Sequence, residues 1–217
     1  PTQLQRWTQR RQPDVEPDTD IRASNGRWNL ETGDLGVRGP VRALRRKDLT
    51  VTASALQGNT QQGFLDLIQP VRLEQQDGAI NAGTTRWNLA EQRLRSIAPF
   101  QGKRQDATAM GNGFVIDEAA TTVIIPKACQ LTQPGESLKA HRCSWNWATN
   151  RVVADGDVVL RRQDPDQETR APRMEGQLGS SEGVRFGSTG QRVQSSIRFR
   201  PDQPRSRPPS SRPRVSF

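Results

Sequence analysis

The chain has 217 residues, of which only 32% are hydrophobic, and this proportion argues against one thick globular core. Its formal net charge is +9, and arginine supplies nearly all of the basic excess. Arginine binds phosphate and carboxylate groups, so the charge favours an anionic partner, with an ordinary solvated surface as the alternative. The single histidine, His141, argues against an enzyme, and no apolar stretch approaches the ~20 residues of a membrane-spanning helix.

Residues 1–20 form a polar segment that is interrupted by prolines and has no hydrophobic period. Such a segment is typical of a linker or of the edge of a truncated structural unit. At the other end, residues 198–217 combine arginine with clustered proline and serine, which predicts a disordered basic tail. We therefore expect the folded body between residues 21 and 197.

Residues 21–197 contain short runs in which apolar and polar residues alternate, such as Gly63–Ile68 and Val71–Leu73. Turn-forming pairs such as Asp77-Gly78 and Asn112-Gly113 separate these runs. Alternation with a period of two, divided by frequent turns, is typical of antiparallel strands. We predict an all-β fold with about twelve to fifteen strands of ordinary length and little or no helix.

One phrase recurs along the chain, as Trp28-Asn29, Trp87-Asn88 and Trp145-Asn146, at steps of 59 and then 58 residues. A second marker, Ala-x-x-(Leu/Met)-x-Gly, occurs at Ala53–Gly58 and again at Ala171–Gly176. A regular period indicates one structural unit laid end to end, and such stacks often work as a surface or a channel. A duplicated domain without functional meaning is the alternative. One tryptophan per repeat favours a packing role for this residue.

The two cysteines, Cys129 and Cys143, lie on either side of the turn-like segment Gln133–Ser137. A three-residue loop centred on Glu136 would place them opposite each other in an antiparallel hairpin, where a disulfide is possible. A disulfide indicates an oxidising compartment. Two buried free thiols are the alternative.

Two acidic pairs invite comparison with calcium ligands or with an acid and base, namely Asp155 with Asp157 and Asp164 with Asp166. Each pair flanks a glycine or a proline, and aspartate next to glycine or proline is common in turns. His141 and the two cysteines lack any standard zinc spacing. We expect no metal site, no cofactor and no catalytic residue.

The segment from Ile21 to Ile197 resembles the Lpt family, the periplasmic bridge proteins of lipopolysaccharide export that are built on the OstA-type β-jellyroll. The resemblance rests on the repeated Trp-Asn phrase, on the Ala-x-x-(Leu/Met)-x-Gly marker and on the strand Ala154–Leu160, which is similar to that family's A-x-G-x-V-x-L strand. The likeness is closest to the C-terminal part of a long LptC-like variant. The chain departs from the short LptC form in its length, its basic charge, its cysteine pair and its lack of an anchor helix.

The resemblance implies an open, V-shaped antiparallel β-jellyroll whose apolar inner faces shield the acyl chains of lipopolysaccharide or a related glycolipid. It implies other bridge jellyrolls as partners, joined by edge-strand augmentation, and an inner-membrane ABC transporter complex as a further partner. It also implies a periplasmic location, with any inner-membrane anchor in a segment absent from this chain. Such a protein needs no cofactor and is not an enzyme.

Alternation along the predicted strands assigns one set of apolar residues to the inner face, because every second side chain points to the same face. The candidate groove residues are Leu65, Leu67, Val71, Leu73, Ile80, Val123, Ile125, Leu131, Leu138, Val158, Leu160, Val184 and Phe186. Each is also a candidate for plain structural core. Arg161, Arg162 and Arg170 are candidates for the rim of the groove, where they would meet lipid phosphates.

Two other classes of function compete with lipid transport. A structural or adhesive β-repeat protein of the cell envelope, which binds polysaccharide, predicts the same period with a filled interior. A nucleic-acid binder fits the basic charge, but base stacking uses exposed aromatic residues and the chain has no tyrosine. We expect no nucleic-acid partner.

Overall fold

The structure is a computed structural model that describes residues 2–6, 19–45, 48–163, 166–179, 184–187 and 193–198. These residues form eighteen strands and no helix, and the strand pairs are antiparallel, which confirms the predicted all-β antiparallel fold. The strands are β1 (Thr2–Arg6), β2 (Thr19–Trp28), β3 (Asp34–Arg45), β4 (Leu49–Asn59), β5 (Phe64–Ile68), β6 (Val71–Gln75), β7 (Gly78–Ala82), β8 (Thr85–Asn88), β9 (Arg93–Arg104), β10 (Ala107–Asp117), β11 (Thr122–Ile125), β12 (Cys129–Gln133), β13 (Glu136–Ala140), β14 (Arg142–Asn146), β15 (Arg151–Gln163), β16 (Asp166–Gln177), β17 (Arg185–Gly187) and β18 (Gln194–Arg198). Within these ranges, no helix has the length and apolar character needed to cross a membrane.

The predicted count of about twelve to fifteen strands is too low. One period contains six strands: two long ones, such as β3 and β4, and four short ones, such as β5 to β8. The short strands β5 to β8 follow one another after breaks of only two residues, such as Gln69-Pro70. A two-residue break leaves the alternation in phase, so the sequence pattern does not separate one short strand from the next.

The sheet folds into two walls because each long strand changes its partner along its length. Residues Ala55–Asn59 of β4 pair with β5, whereas Thr50–Thr52 of the same strand pair with β6. Strand β9 is divided in the same way between β8 and β7. We call wall A the sheet formed by β5, β8, β11, β14 and β17 with the adjoining halves of the long strands. Wall B is formed by β1, β6, β7, β12, β13 and β18 with the other halves.

The walls meet along a hinge line where the pairing of the long strands becomes irregular. The register of β3 against β4 shifts between Arg38 and Val41, and that of β10 against β9 shifts between Asn112 and Phe114. An extra residue of this kind bends a strand. Gly113 has a φ of 83°, and a Cβ atom there would lie 2.9 Å from the carbonyl oxygen of Ser96, so glycine is required at this bend. We call the sides of the walls that lie away from the hinge line the open edge.

The hydrophobic core lies between the walls. Leu65 and Leu67 of wall A and Val71 and Leu73 of wall B belong to one cluster of buried residues that includes members from the first to the last repeat. Burial alternates along the strands, as in β6, where Arg72 between the two buried residues is exposed. Each fully buried side chain of this size contributes roughly 1.5–3 kcal/mol relative to exposure.

The asparagine of each Trp-Asn phrase explains why the phrase recurs. The side-chain Oδ1 atom of Asn88 accepts hydrogen bonds from the backbone N–H groups of Ala90 and Glu91, both at 3.0 Å. Asn29 and Asn146 make the same pair of hydrogen bonds, each with the backbone N–H groups two and three residues further along the chain. An asparagine that bonds to the backbone in this way starts a turn. Each repeat therefore begins its long hairpin with the same turn.

The described residues at the two ends of the chain lie in strands. Residues Thr2–Arg6, within the segment expected as a linker or an edge, form β1 and pair with Thr19–Ala23 of β2. These five residues therefore lie in a strand beside β2. Of the predicted basic tail, only Arg198 lies within the described residues, at the end of β18.

Cys129 and Cys143 form a disulfide, as one of the two sequence interpretations predicted. The expected hairpin geometry is wrong, because the loop contains only Pro134 and Gly135 and places Ala140 opposite Cys129. Cys143 lies on the next strand, β14, which has crossed to wall A. The disulfide therefore joins the two walls beside the hinge line, with the Cα atoms 5.9 Å apart.

Candidate ligand cavity between the two walls

An apolar cavity of about 140 Å³ lies between the walls in the middle of the stack. Its lining includes Leu73 and Ile80 from wall B and Leu94, Ile116 and Val123 from wall A. The volume is close to that of an engineered apolar cavity of about 150 Å³ that takes up benzene. In this conformation the cavity has room for a ring or a short stretch of hydrocarbon.

Small residues on wall B explain why space is left at this level. Gly102 and Ala109 line the cavity and pair with each other across β9 and β10. The same two places one repeat earlier hold Ala43 and Val51, which also pair with each other and are fully buried. Alanine in place of valine at Ala109 leaves space between the walls, whereas at Gly102 a Cβ atom would lie 3.2 Å from Cγ1 of Ile80, which already occupies the place beside the glycine.

A second cavity, of about 350 Å³, adjoins the first along the open edge. Its lining is mixed, with Leu131, Trp145 and Leu178 among the apolar residues and Gln133 and Asn150 among the polar ones. A lining with both apolar and polar residues suits the boundary between a buried hydrocarbon and solvent better than a wholly apolar lining does.

Arg104 belongs to the lining of both cavities. Its Nε atom donates a hydrogen bond to Oδ2 of Asp77 at 2.7 Å, within wall B. Across the open edge, Nη1 donates to the backbone oxygen of Trp147 at 3.3 Å, and the guanidinium carbon lies 6.0 Å from the ring centroid of Trp145. The side chain thus spans from wall B to wall A where the two cavities meet.

An arginine recurs at this place in each repeat, as Arg45, Arg104 and Arg162, at the same steps of 59 and 58 residues as the tryptophans. Arg45 is buried, forms an ion pair of 2.9 Å with Glu118 of wall A, and lies 5.4 Å from the ring centroid of Trp87. We call these three arginines the clasp arginines, because each lies at the open edge of wall B.

The third clasp arginine reaches wall A through an intermediate carboxylate. Nε of Arg162 donates to Oε1 of Glu136 at 2.8 Å, and Oε2 of Glu136 accepts a hydrogen bond of 2.7 Å from the backbone N–H of Gly179. Glu136 is buried, so both bonds form away from bulk water. The two walls are therefore joined along the open edge at three levels.

The predicted groove residues divide into three groups in the structure. Leu73, Ile80 and Val123 line the first cavity, and Leu131 lines the second. The residues that are packed in the core without lining either of these cavities are Leu65, Leu67, Val71, Ile125, Leu138, Val158 and Leu160. Val184 and Phe186 are partly buried against the core. Alternation therefore identified the inner face, but it did not distinguish filled from open space.

The predicted rim arginines have carboxylate partners. Arg161 and Arg170 both donate to Glu168, at 2.7 and 2.8 Å, and Arg162 donates to Glu136. The hydrogen bond from Arg161, followed by that from Arg170, holds the pKa of the Glu168 carboxyl below its ordinary value. A lipid phosphate at these arginines would have to displace a carboxylate.

Sequence reasoning missed the residues that shape the cavities, namely Gly102, Ala109, Arg104 and Trp147. One signal was present, because the clasp arginines follow the period of the tryptophans. The small residues give no such signal, since glycine and alanine are also common in strands that enclose no cavity.

Comparison with known proteins gives a fold-level likeness. No family model matches the chain, and no curated protein matches it. Among solved structures, the chain is similar to LptH of Pseudomonas aeruginosa, the LptA-homologous periplasmic component of the lipopolysaccharide transport device. The identity is 13% and the TM-score 0.47, over 70% of this chain and 95% of that one. We base the proposed function on the cavities, the clasp arginines and the sheet edges.

Proposed function

We propose that the protein holds acyl chains of lipopolysaccharide or a related glycolipid between its two walls and shields them from water during transfer through the periplasm. The observation that supports this proposal is the apolar cavity between the walls, which adjoins a partly polar cavity at the open edge. A hydrocarbon chain fits the first environment and the start of a polar head group fits the second. The role requires binding and release, and no catalysis.

The energetics of hydrocarbon burial are sufficient for such binding. Each methylene group moved from water into an apolar site contributes about 0.8 kcal/mol, so a few buried methylenes hold an amphiphile without specific contacts. The cavity of about 140 Å³ is smaller than a complete acyl chain needs, so binding of a longer chain requires more space than the first cavity offers. The contacts across the open edge are noncovalent, so they can break to provide that space.

The sheet edges suit end-to-end assembly with other jellyrolls. In the described part of the chain, β1 pairs only with β2 and β18 pairs only with β16, so each leaves one side of its backbone without a neighbouring strand. An unpaired edge accepts a further strand by augmentation. Under this proposal an LptC-like component would contact other bridge jellyrolls and, at the inner membrane, an ABC transporter complex. The disulfide agrees with an oxidising periplasm.

Site-specific photo-crosslinking tests the proposal. A photo-reactive residue at Leu73, which lines the first cavity, or at Leu131, which lines the second, should label lipopolysaccharide strongly. The matched controls are their sequence neighbours Arg72, which is exposed, and Gln130, which is half-buried; neither lines the two cavities. We expect several-fold weaker labelling at both controls. Equal labelling at all four positions contradicts an internal lipid site.

The filled parts of the interior favour a second candidate, a structural or adhesive β-repeat protein. Leu65, Leu67 and Leu138 are fully buried. The parts of the stack that contain these residues resemble an ordinary packed core. This candidate predicts no lipid labelling at Leu73 or Leu131, together with retention of envelope polysaccharide on the immobilised protein.

A further inference from the structure

Arg104 stands between the two cavities, and we propose that it is a gate that limits the length of acyl chain accepted by the interior. The inference rests on the proposed function, because it concerns the same interior. With the guanidinium group across the open edge, the first cavity accepts only a short apolar segment. When that group swings out into solvent, the two cavities join into one channel between the walls.

The shared lining identifies Arg104 as the movable part of the boundary. The two cavities share Arg104, Ala107, Thr108, Trp145 and Trp147. Of these five, the alanine and threonine are too small to close the passage, and each tryptophan ring turns about only two side-chain bonds. The arginine has a long flexible side chain that regains rotamer freedom when it leaves a fixed contact. Its movement opens the boundary without any change in the backbone.

Arg104 is also held across the open edge less firmly than Arg45, its equivalent one repeat earlier. Arg45 is buried and contacts the carboxylate of Glu118 at 2.9 Å, a charge-assisted contact in a low-dielectric setting. For Arg104, whose side chain is 35% exposed, the contact with wall A is a 3.3 Å hydrogen bond to a neutral carbonyl oxygen and a ring contact at 6.0 Å. The middle level of the stack therefore opens more easily than the level of Arg45.

Chain length is the property that this gate selects. Lys103 and Arg104 at the first cavity are balanced by Asp77 and Glu118, so the cavity carries little net charge that would select a head group. The adjoining surfaces are apolar side chains, which recognise hydrocarbon by the area that it buries. The ligand class is an acyl chain, and the length of chain that fits depends on whether the second cavity is reachable.

Calorimetry with octanoate and dodecanoate, each below its critical micelle concentration, tests the gate on the oxidised full chain. For the wild type we expect nearly equal dissociation constants, because the extra methylenes of dodecanoate stay outside the first cavity. For Arg104→Ala we expect dodecanoate to bind at least about tenfold more tightly than octanoate, since each methylene newly buried adds roughly a factor of four. The ratio within one variant cancels any contribution of the head group.

Two variants separate the gate from general effects of arginine removal. Arg72→Ala removes an exposed arginine on the outer face of wall B, and its ratio should stay at the wild-type value. Ala109→Val introduces the residue found one repeat earlier and fills the first cavity, so it should weaken binding of both ligands. If Arg104→Ala does not fold, Arg104→Gln shortens and neutralises the side chain with the same expected direction.

The outcomes distinguish the two proposals. Wild-type binding of both ligands with an unchanged length ratio in Arg104→Ala and Arg104→Gln overturns the gate and leaves the proposed function intact. Absence of binding to the wild type and to every variant overturns both. Wild-type binding that Ala109→Val does not weaken shows that the ligands sit elsewhere and likewise overturns the gate.

Discussion

Trp87 and Trp145 occupy the same position in successive repeats, yet their surroundings differ. Trp87 is fully buried beneath Arg45, which is itself buried. Trp145 is half-buried beneath Arg104 and borders both cavities. The backbone of the two levels is nearly the same, since each tryptophan lies on a short wall A strand and precedes the same asparagine turn. The repeat therefore fixes the position of a side chain, and its neighbours decide whether it packs or lines a site.

Side-chain volume on the opposite wall accounts for the difference. At the level of Trp87, Ala43 and Val51 fill the space between the walls, whereas Gly102 and Ala109 occupy the same places at the level of Trp145. A void of this kind costs stability, because its lining loses packing contacts. The open level therefore differs from the closed one by a few methyl groups and by the strength of the contact between one clasp arginine and wall A.

The largest difference between the two levels should come from removing the tryptophan rings. Trp87→Ala should lower the free energy of unfolding by about 3–5 kcal/mol, because a fully buried ring is replaced by a cavity. Trp145→Ala should lower it by only about 1–2 kcal/mol, since that ring already borders solvent and open space. Guanidinium unfolding of both variants measures the contrast.

Trp87→Phe is the matched control, because the buried indole nitrogen of Trp87 has no hydrogen-bond partner among the described residues. The phenylalanine should recover most of the loss. Equal destabilisation by the two alanine variants contradicts the contrast between a closed and an open level.

Removal of the disulfide should have the next largest effect. Val71 and Thr85 stand one repeat before Cys129 and Cys143, at the equivalent positions, and both of those residues are buried. The double variant Cys129→Val/Cys143→Thr therefore keeps the packing of a natural repeat while it removes the covalent link. We expect a loss of about 3 kcal/mol, because the bond closes a loop with a sequence separation of 14.

Chemical unfolding of the oxidised protein, the reduced protein and the double variant checks this value. The reduced protein and the double variant should unfold at similar denaturant concentrations. If the oxidised protein is no more stable than either, the link between the walls contributes nothing to the native state.

Local patterns in the sequence were sufficient for the strand type, the repeat and the inner face. The Trp-Asn phrase marks a real turn, since Asn88 bonds to the backbone just after it. Leu65 and Leu73 were both assigned to the interior, and both are buried. These features depend on neighbours in the chain or on one repeated unit, which is why sequence alone could indicate them.

Features that depend on the crossing between the walls could not be predicted. The disulfide was expected within one hairpin, but Cys143 lies on the opposite wall because β14 follows a crossing that the alternation does not record. Of Leu65 and Leu73, only Leu73 lines the first cavity, because the space beside it depends on Gly102 and Ala109 of other strands. Residues distant in sequence decide these contacts.

The clasp arginines should differ in their effect on stability. Arg45→Met should cost about 2 kcal/mol, because it leaves Glu118 in a mostly buried place without the charge that contacts it here. Arg104→Met should cost below ~1 kcal/mol, since its ion pair with Asp77 is partly exposed and its bond to wall A is made to a carbonyl. Thermal or denaturant unfolding measures both.

A double variant checks that the larger effect belongs to the ion pair. Arg45→Met/Glu118→Gln removes both charges and should be less destabilised than the sum of the two single variants. Similar losses for Arg45→Met and Arg104→Met mean that the two levels of the open edge are held with equal strength.

The smallest expected difference concerns the hairpin ends of wall A, where the first repeat pairs Asp34 with Asn59 and the second pairs Arg93 with Asp117. The backbone N–H of Ala120 and then the Arg93 side chain hold the pKa of the Asp117 carboxyl below its ordinary value. A carboxyl group with a lowered native pKa stabilises the fold above its unfolded pKa, near 4, and loses this contribution as the pH falls through the native value.

Asp117→Asn should therefore lower the free energy of unfolding near neutral pH by no more than ~1 kcal/mol, because the Arg93 side chain of this ion pair is about half exposed to solvent. The deficit should shrink below about pH 4, because the Asp117 carboxyl group then binds a proton when the wild type unfolds. Proton uptake by the unfolded state reduces the stability that the charged carboxyl group gives to the native wild type. Denaturant unfolding across a pH series measures the difference between the two proteins. A deficit that stays constant down to acid pH does not depend on the charge of the carboxyl group, and it removes the charge of Asp117 from the account of how the second repeat differs from the first.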